Sequence, residues 1–328
     1  MFTDTYNYDI DLLDSDISLH DGVPRKYYDI KNKKFGDWEI PPWELFIFNN
    51  RLLGEGSFAK VYLAKWRGTF VVAKVINKNI CENEKNLVLR EFDIMTKLHH
   101  PNIVQFLGYI DDPFIIVMEY IPNGDLLENI VKNTLTKSQK KNIMINILQG
   151  LAYIHNRKPY SLIHRDIKPT NILLTNSKVA KITDFGLSKF ANLYRNNSND
   201  NLSKLEGDKN KNTMLQFQYK KMIIEVNNSN LESSPKDSKN NDLTSDVGTQ
   251  RYMAPELVNN NNYNNKVDIY SCGILLYEMF EKKRYVPNIK MTWYYTPKNI
   301  KLIILNMLDS DPKMRNDALT LLKQVNKL

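Results

Sequence analysis

The chain has 328 residues, 42% hydrophobic and 25% charged, room for one large domain or two modest ones, and a composition that excludes a wholly disordered or fibrous protein. Its 45 Lys and Arg against 37 Asp and Glu give a net charge of +8, but the lysines are scattered, with no basic helix and no long block of like charge, so no nucleic-acid partner is expected. Two cysteines, Cys81 and Cys272, supply neither a disulfide framework nor a metal cluster.

Residues 1 to 37 are polar, weakly periodic and predicted to form an extension outside the core. Asp4, Asp9, Asp11, Asp14 and Asp16 stand where a secretory signal would be basic and then apolar. The chain is therefore expected inside the cell, in the cytoplasm. From Trp38 the pattern changes. Leu45–Phe48, Val61–Ala64 and Phe70–Ala73 are short β-favouring runs, separated by Gly54-Glu55-Gly56 and by Arg67-Gly68, which predicts an antiparallel meander. A helix is predicted from Glu82 to Leu98, with Leu87, Glu91, Ile94 and Leu98 on one stripe. Further strands are predicted around Val104–Phe106 and Phe114–Met118.

After Pro122-Asn123-Gly124 the pattern is mostly helical. Ile143, Ile147, Leu151 and Ile154 form one stripe. Ile269–Phe280 is apolar on every face, which predicts a helix in the middle of a domain; it falls short of the roughly 20 residues that span a membrane. A small strand-rich lobe (38–120) thus precedes a larger helical lobe (121–328). Residues 192 to 242, rich in Asn, Ser, Lys and Asp, are too long for a loop within a compact domain and read as a disordered insertion. The Asn- and Lys-rich composition resembles the coding bias of an AT-rich genome, such as that of an amoeba-like cell or of a large DNA virus of one.

Several short motifs carry chemistry. Gly54-Glu55-Gly56-Ser57-Phe58 lies between two strands rather than between a strand and a helix, which disfavours a dinucleotide fold and suits a hairpin whose amides cover phosphates. Lys74 closes the third strand, and Glu91, on a face that should be buried, needs a cation; the two are candidate partners. His164-Arg165-Asp166-Ile167-Lys168-Pro169-Thr170-Asn171 is followed by Asp184-Phe185-Gly186. Carboxylates and an amide beside short strands suit Mg²⁺, which takes a few protein oxygens plus substrate phosphate. Gly248-Thr249 and Ala254-Pro255-Glu256 come later.

In this order the motifs resemble those of the eukaryotic protein kinases, over Trp38 to Lys327. Trp38-Glu39-Ile40, Glu44-Leu45, Lys65-Trp66-Arg67-Gly68 and His100–Val104 resemble the tyrosine-kinase-like branch, which is mostly serine/threonine-specific. The resemblance implies an α+β two-lobed fold and a serine/threonine kinase using ATP and Mg²⁺, or Mn²⁺ in its place. It implies that Leu53, Gly54, Glu55, Gly56, Ser57, Phe58 and Val61 cover the nucleotide, and that Ala73, Met118 and Leu173 enclose the adenine. Glu119 and Ile121 would bond the adenine through their backbones, and Asp125 would meet the ribose.

Lys74, held by Glu91, would bind the α/β-phosphates; Asp184 and Asn171 would hold Mg²⁺; Asp166 would be the base, with Lys168 offsetting charge. Glu256 would pair with Arg315, and Asp268 would anchor the catalytic loop. A protein substrate and a monomer or transient dimer are expected, with no membrane or nucleic acid. The alternatives are a pseudokinase scaffold and a dual-specificity or tyrosine kinase. Ala59 replaces the third glycine of the loop, Asn316 replaces a proline, and 281–297 is shorter than the family pattern. Thr244 and Ser245 are expected phosphorylation sites that would order the segment before Gly248, with Arg165 as the nearby cation.

Overall fold

In the computed structural model, residues 19–20, 23–24, 38–56, 59–77, 82–158, 160–192, 250–259, 263–287 and 289–328 are described. Ser57, Phe58, Cys81, the Thr244–Thr249 stretch, most of the predicted insertion and the Leu87 side chain lie outside them. The chain divides into two compact units, one of residues 1–191 with 251–328 and one of 192–250. The description below concerns the first.

A two-residue ladder joins β1 (Leu19–His20) to β2 (Val23–Pro24). The main sheet is antiparallel and five-stranded: β3 (Leu45–Glu55), β4 (Ala59–Trp66), β5 (Thr69–Ile76), β6 (Phe106–Ile110) and β7 (Ile115–Glu119), in spatial order β3-β4-β5-β7-β6. The turn from β4 to β5 is Arg67-Gly68, both with positive φ (45° and 85°), the backbone twist that a two-residue hairpin requires. Glu44 fixes that corner: its carboxylate accepts from Trp66 Nε1 at 3.1 Å and from Arg67 Nε and Nη2 at 2.6 and 2.9 Å. Helix α1 (Glu82–Met95) follows β5.

The helical part begins with α2 (Leu126–Val131), capped by Asp125, and α3 (Lys137–His155), opened by a Thr136/Gln139 capping box. Four short strands follow: β8 (Tyr160–Ile163), β9 (Ile172–Leu174), β10 (Ala180–Ile182) and β11 (Lys189–Asn192). β9 pairs with β10 and β8 with β11. The chain closes with α4 (Pro255–Asn259), α5 (Lys266–Glu281), α6 (Lys298–Met307) and α7 (Ala318–Asn326). Nearly every residue of α5 is buried, and Ile143, Ile147, Leu151 and Ile154 of α3 are fully so. Each such side chain contributes about 1.5–3 kcal/mol on leaving water. No described helix is long and apolar enough to cross a membrane.

Three predicted boundaries move. β5 runs two residues past Lys74, because Val75 and Ile76 continue the ladder opposite Lys60 and Ala59. α1 stops at Met95 rather than Leu98: the Thr96 hydroxyl bonds to Asp93 O, and the chain turns toward Pro101. Val104 is not in the main sheet; its N–H goes to Ile182 O at 2.9 Å and Ile103 bridges Ile182, so this segment pairs with β10 and β6 begins at Phe106.

Candidate active site

Lys74 in β5 and Glu91 in α1 meet as an ion pair, with Nζ 2.7 Å from both carboxylate oxygens. Both are largely shielded from water, so losing either partner leaves a costly uncompensated charge. Ala59, in the third-glycine place, is buried against Ile76 and Val88 at the base of this lobe, so its methyl contributes to packing. A Cβ built on Gly54 meets nothing within 4 Å, and one on Gly56 only Ala59 O at 3.9 Å. Among the described residues, then, packing does not demand these glycines. Leu53 is exposed there. Ser57 and Phe58 lie outside the described residues.

The loop from His164 to Asn171 is built on Asp268, fully buried at the start of α5. Its Oδ2 accepts from His164 N (2.8 Å) and lies 2.8 Å from His155 Nε2; its Oδ1 accepts from Arg165 N at 2.8 Å. Burial pushes the Asp268 carboxyl up, but the His155 hydrogen bond and the neighbouring donors outweigh it and hold the group below the usual carboxylate range. His164 packs on Phe185, ring centroids 4.8 Å apart, and its two nitrogens are spoken for: Asp166 N donates to Nδ1, and Nε2 faces Thr183 O at 3.0 Å, which puts the proton on Nε2.

These bonds fix the backbone on which Asp166, itself buried, is carried. Its Oδ2 accepts from Asn171 Nδ2 and pairs with Lys168 Nζ, each at 2.8 Å. Asn171 Nδ2 also donates to Asp166 O, which leaves the amide's Oδ1 as its remaining acceptor. Asp184 is exposed and has positive φ (64°), as has Arg165 (69°), a left-handed conformation uncommon for non-glycine residues that also occurs here at the turn residues Arg67, Asn133 and Lys178. A Cβ on Gly186 would lie 3.3 Å from Asp184 Oδ1 and 3.7 Å from Glu91 Oε2. Residue 186 thus lies close to both Glu91 of the Lys74–Glu91 pair and Asp184.

No group of three or more His, Cys, Asp or Glu that could hold a metal occurs among the described residues. Asp184 and Asn171 offer hard oxygen donors, a set that fits Mg²⁺ completed by phosphate oxygens and water rather than zinc or a buried calcium.

At the junction of the lobes, Met118 and Ile121 are buried, Ala73 is fully so, and Val61 and Leu173 are half-buried. Asp125 accepts the Glu128 N–H at 2.8 Å, so one oxygen is committed to capping α2. Sequence reasoning missed the lock on Glu119, whose Oε1 accepts from Gln105 N (2.7 Å) and from Lys181 Nζ (2.6 Å). The one available signal was Lys181 alternating with buried Ala180 and Ile182. Away from the cleft, Glu256 holds Arg315 at 2.6 and 2.9 Å, with Arg315 only 1% exposed. Arg165 itself is held by Leu187 O (2.5 Å) and Tyr263 OH (2.8 Å).

This geometry defines a class. The chain matches the protein kinase domain family over residues 48–210 and 209–326, and it belongs to that family. It is 32% identical to the serine/threonine-protein kinase VIK of Arabidopsis thaliana, over 89% of this chain and 62% of that protein. It is 31% identical to the serine/threonine-protein kinase shk2 of Schizosaccharomyces pombe (83% and 36%), and 28% identical to the RGS domain-containing serine/threonine-protein kinase A of Dictyostelium discoideum (85% and 20%). The chain thus spans from a fifth to somewhat under two thirds of the length of these relatives. A domain of this family uses ATP with a divalent metal and acts on protein.

Proposed function

We propose that the chain is an active protein serine/threonine kinase that transfers the ATP γ-phosphoryl group to Ser and Thr hydroxyls, with Mg²⁺ as its metal. The observation that carries this reading is the approach of Gly186 to both Glu91 and Asp184, together with the bond from Thr183 N–H to Asn171 O (3.0 Å) that ties the residue before Asp184 to the Asp166–Lys168–Asn171 cluster. A scaffold that had given up catalysis would have no need to keep all five of Lys74, Glu91, Asp166, Asn171 and Asp184.

In this reading Lys74 binds the α/β-phosphates and Glu91 keeps its ammonium in place. Asp184 and Asn171 Oδ1 would hold the metal, whose positive charge would offset that of the phosphates. Gly54, Glu55 and Gly56 present backbone N–H groups from above; Glu119 and Ile121 bond the adenine, and Asp125 the ribose. Asp166 orients the substrate hydroxyl and takes its proton. The hydroxyl oxygen bonds to the γ-phosphorus as the bond to the β–γ bridging oxygen breaks, and ADP leaves. Lys168, 2.8 Å from Asp166, offsets charge growing on the transferred group.

Lys168 two residues after Asp166, and Thr249 after Gly248, support alkyl hydroxyls over phenols as acceptors. The bonds from Glu44 to Trp66 and Arg67 join residues that resemble the tyrosine-kinase-like branch, to which we assign the chain. We take 38–120 and 121–328 as its lobes, 1–37 as an extension and 192–242 as an insertion, in a protein that works inside the cell as a monomer or transient dimer.

The test is radiolabelled ATP with purified chain and generic protein substrates, followed by phosphoamino-acid analysis. Label on Ser and Thr that vanishes with Asp184→Asn is expected. Label on Tyr alone, or no label above the Asp184→Asn background, would overturn the proposal.

A further inference from the structure

Trp38, Glu39 and Ile40 have no part in the chemistry above, yet the fold holds them closely. Ile40 N–H donates to Tyr109 O at 2.7 Å, Tyr109 N–H donates to Trp38 O at 2.8 Å, and Glu39 bridges Tyr109 in the parallel sense. The three residues thus form a strap along β6, the last strand in the order of the main sheet. A Cβ built on Gly108 would lie 2.7 Å from Trp38 O and from the Ile40 side chain, an approach that only glycine permits.

The side chains of the strap are anchored as well. Ile40 is buried in one cluster with Leu45, Val71, Ile110 and Val117. Trp38 is 40% exposed, and the rest of its indole lies against two rings. It stacks on His99 with centroids 6.1 Å apart, and it meets Phe106 of β6 at 5.5 Å.

The ring contacts continue into α1. Phe106, only 1% exposed, meets Phe92 edge-on at 5.5 Å, and Phe92 also touches Tyr109 at 5.1 Å and Phe114 at 5.8 Å. Phe92 is the residue after Glu91, whose carboxylate lies 2.7 Å from Lys74 Nζ. His99 follows the last residue of α1 by four positions. Trp38 therefore braces this helix twice, through Phe106 to Phe92 and through His99 to the segment that leaves the helix. The ion pair depends on such bracing, since a shift of α1 by about 1 Å would carry both contacts beyond hydrogen-bond range. Aromatic contacts of this kind each bias an equilibrium by about twofold to tenfold.

We propose that Trp38 is a positioning residue: through Phe106 and Phe92 it holds α1 where Glu91 meets Lys74, and without its indole the pair opens for part of the time. The consequence for activity rests on the proposed function, in which Lys74 binds phosphate. The consequence for the pair itself does not.

The test reads the pair directly, on the full chain and without nucleotide. Wild type, Trp38→Ala, Trp38→Phe and Glu91→Gln are exposed briefly to succinimidyl acetate, and acetylation of each lysine is followed by peptide mass spectrometry. The neutral amine is the reacting form, so a carboxylate that holds Lys74 as ammonium protects it. Lys74 should react about fivefold faster in Trp38→Ala than in wild type, and faster still in Glu91→Gln. Trp38→Phe should recover most of the protection. Lys266, bonded to Arg315 O in the helical lobe, should react at one rate in all four proteins. In the transferase assay, Trp38→Ala should lose about fivefold in kcat/KM for ATP, and Trp38→Phe should regain most of it.

If Trp38→Ala does not fold, Phe92→Leu, which cuts the path of rings at α1, should give the same rise at Lys74. Lys74 reacting at the wild-type rate in the folded variant, or Lys266 accelerating as much as Lys74, would overturn the proposal. A wild type that transfers no phosphate, yet whose Lys74 protection depends on Trp38, would support the positioning while overturning the proposed function.

Discussion

Lys181 Nζ lies 2.6 Å from Glu119 Oε1, tying β10 of the helical lobe to the last residue of β7. The same carboxylate oxygen takes the Gln105 N–H at 2.7 Å, and Glu119 N returns a bond to Gln105 O at 3.0 Å. The residue whose backbone is assigned to the adenine is thus held from both lobes. Lys181→Met removes one of these holds and leaves a carboxylate short of a cation. A partly shielded pair of this kind is worth about 1 kcal/mol, so the ATP KM should rise about fivefold while kcat changes little. Steady-state kinetics at varied ATP check it; an unchanged KM would mean that the pair is not needed to set the junction.

Asp268 accepts from His164 N and Arg165 N and meets His155 while fully buried. Asp268→Asn should cost about 3–5 kcal/mol, because the amide cannot accept from all three donors. The carboxyl sits below its ordinary value when folded, so its contribution is complete above the unfolded value near 4 and is lost as pH falls through the folded value. The stability gap between wild type and Asp268→Asn, followed by urea unfolding, should therefore be constant from pH 5 to 7 and shrink below about pH 4. A gap that widens in acid would contradict this assignment.

Lys140 behaves in the opposite direction. It is buried in α3, and its ammonium donates to Met279 O at 2.6 Å at the end of α5. Burial, with the Lys282 charge adding to it, lowers its pKa to about 8. The unfolded chain then binds more protons than the folded one between about pH 8 and 10.5, and over that window the stability from this group rises with pH. Relative to Lys140→Met, wild type should gain up to about 3 kcal/mol across it, measured as a rise in denaturation midpoint. A difference independent of pH would show that the helix-end carbonyls fully offset the burial.

Much of this architecture was readable in the chain because it rests on local periodicity. The all-round apolar run at Ile269–Phe280 is a buried helix, and the stripe from Ile143 to Ile154 is a packed one. Glu91 pointed to Lys74 because it stood on an apolar stripe, and the two lie 2.7 Å apart. Contacts joining distant side chains to backbone left no such trace. Val104 looked like sheet, yet its N–H belongs to Ile182 O; Lys140 reaches Met279 O, and Glu281 gathers the amides of 294–296. Each is set by which segments pack together, and periodicity carries no information on that.

The central claim is that Lys74 and Asp184 serve one nucleotide, the first through its phosphates and the second through its metal. Calorimetric titration of ATP into wild type, Lys74→Met and Asp184→Asn, each with and without Mg²⁺, tests it most directly. Wild type should bind ATP about tenfold or more tighter with Mg²⁺, Asp184→Asn should lose that dependence, and Lys74→Met should weaken binding under both conditions. An Asp184→Asn protein with the full Mg²⁺ dependence of wild type, or a Lys74→Met protein with unchanged affinity, would contradict the account.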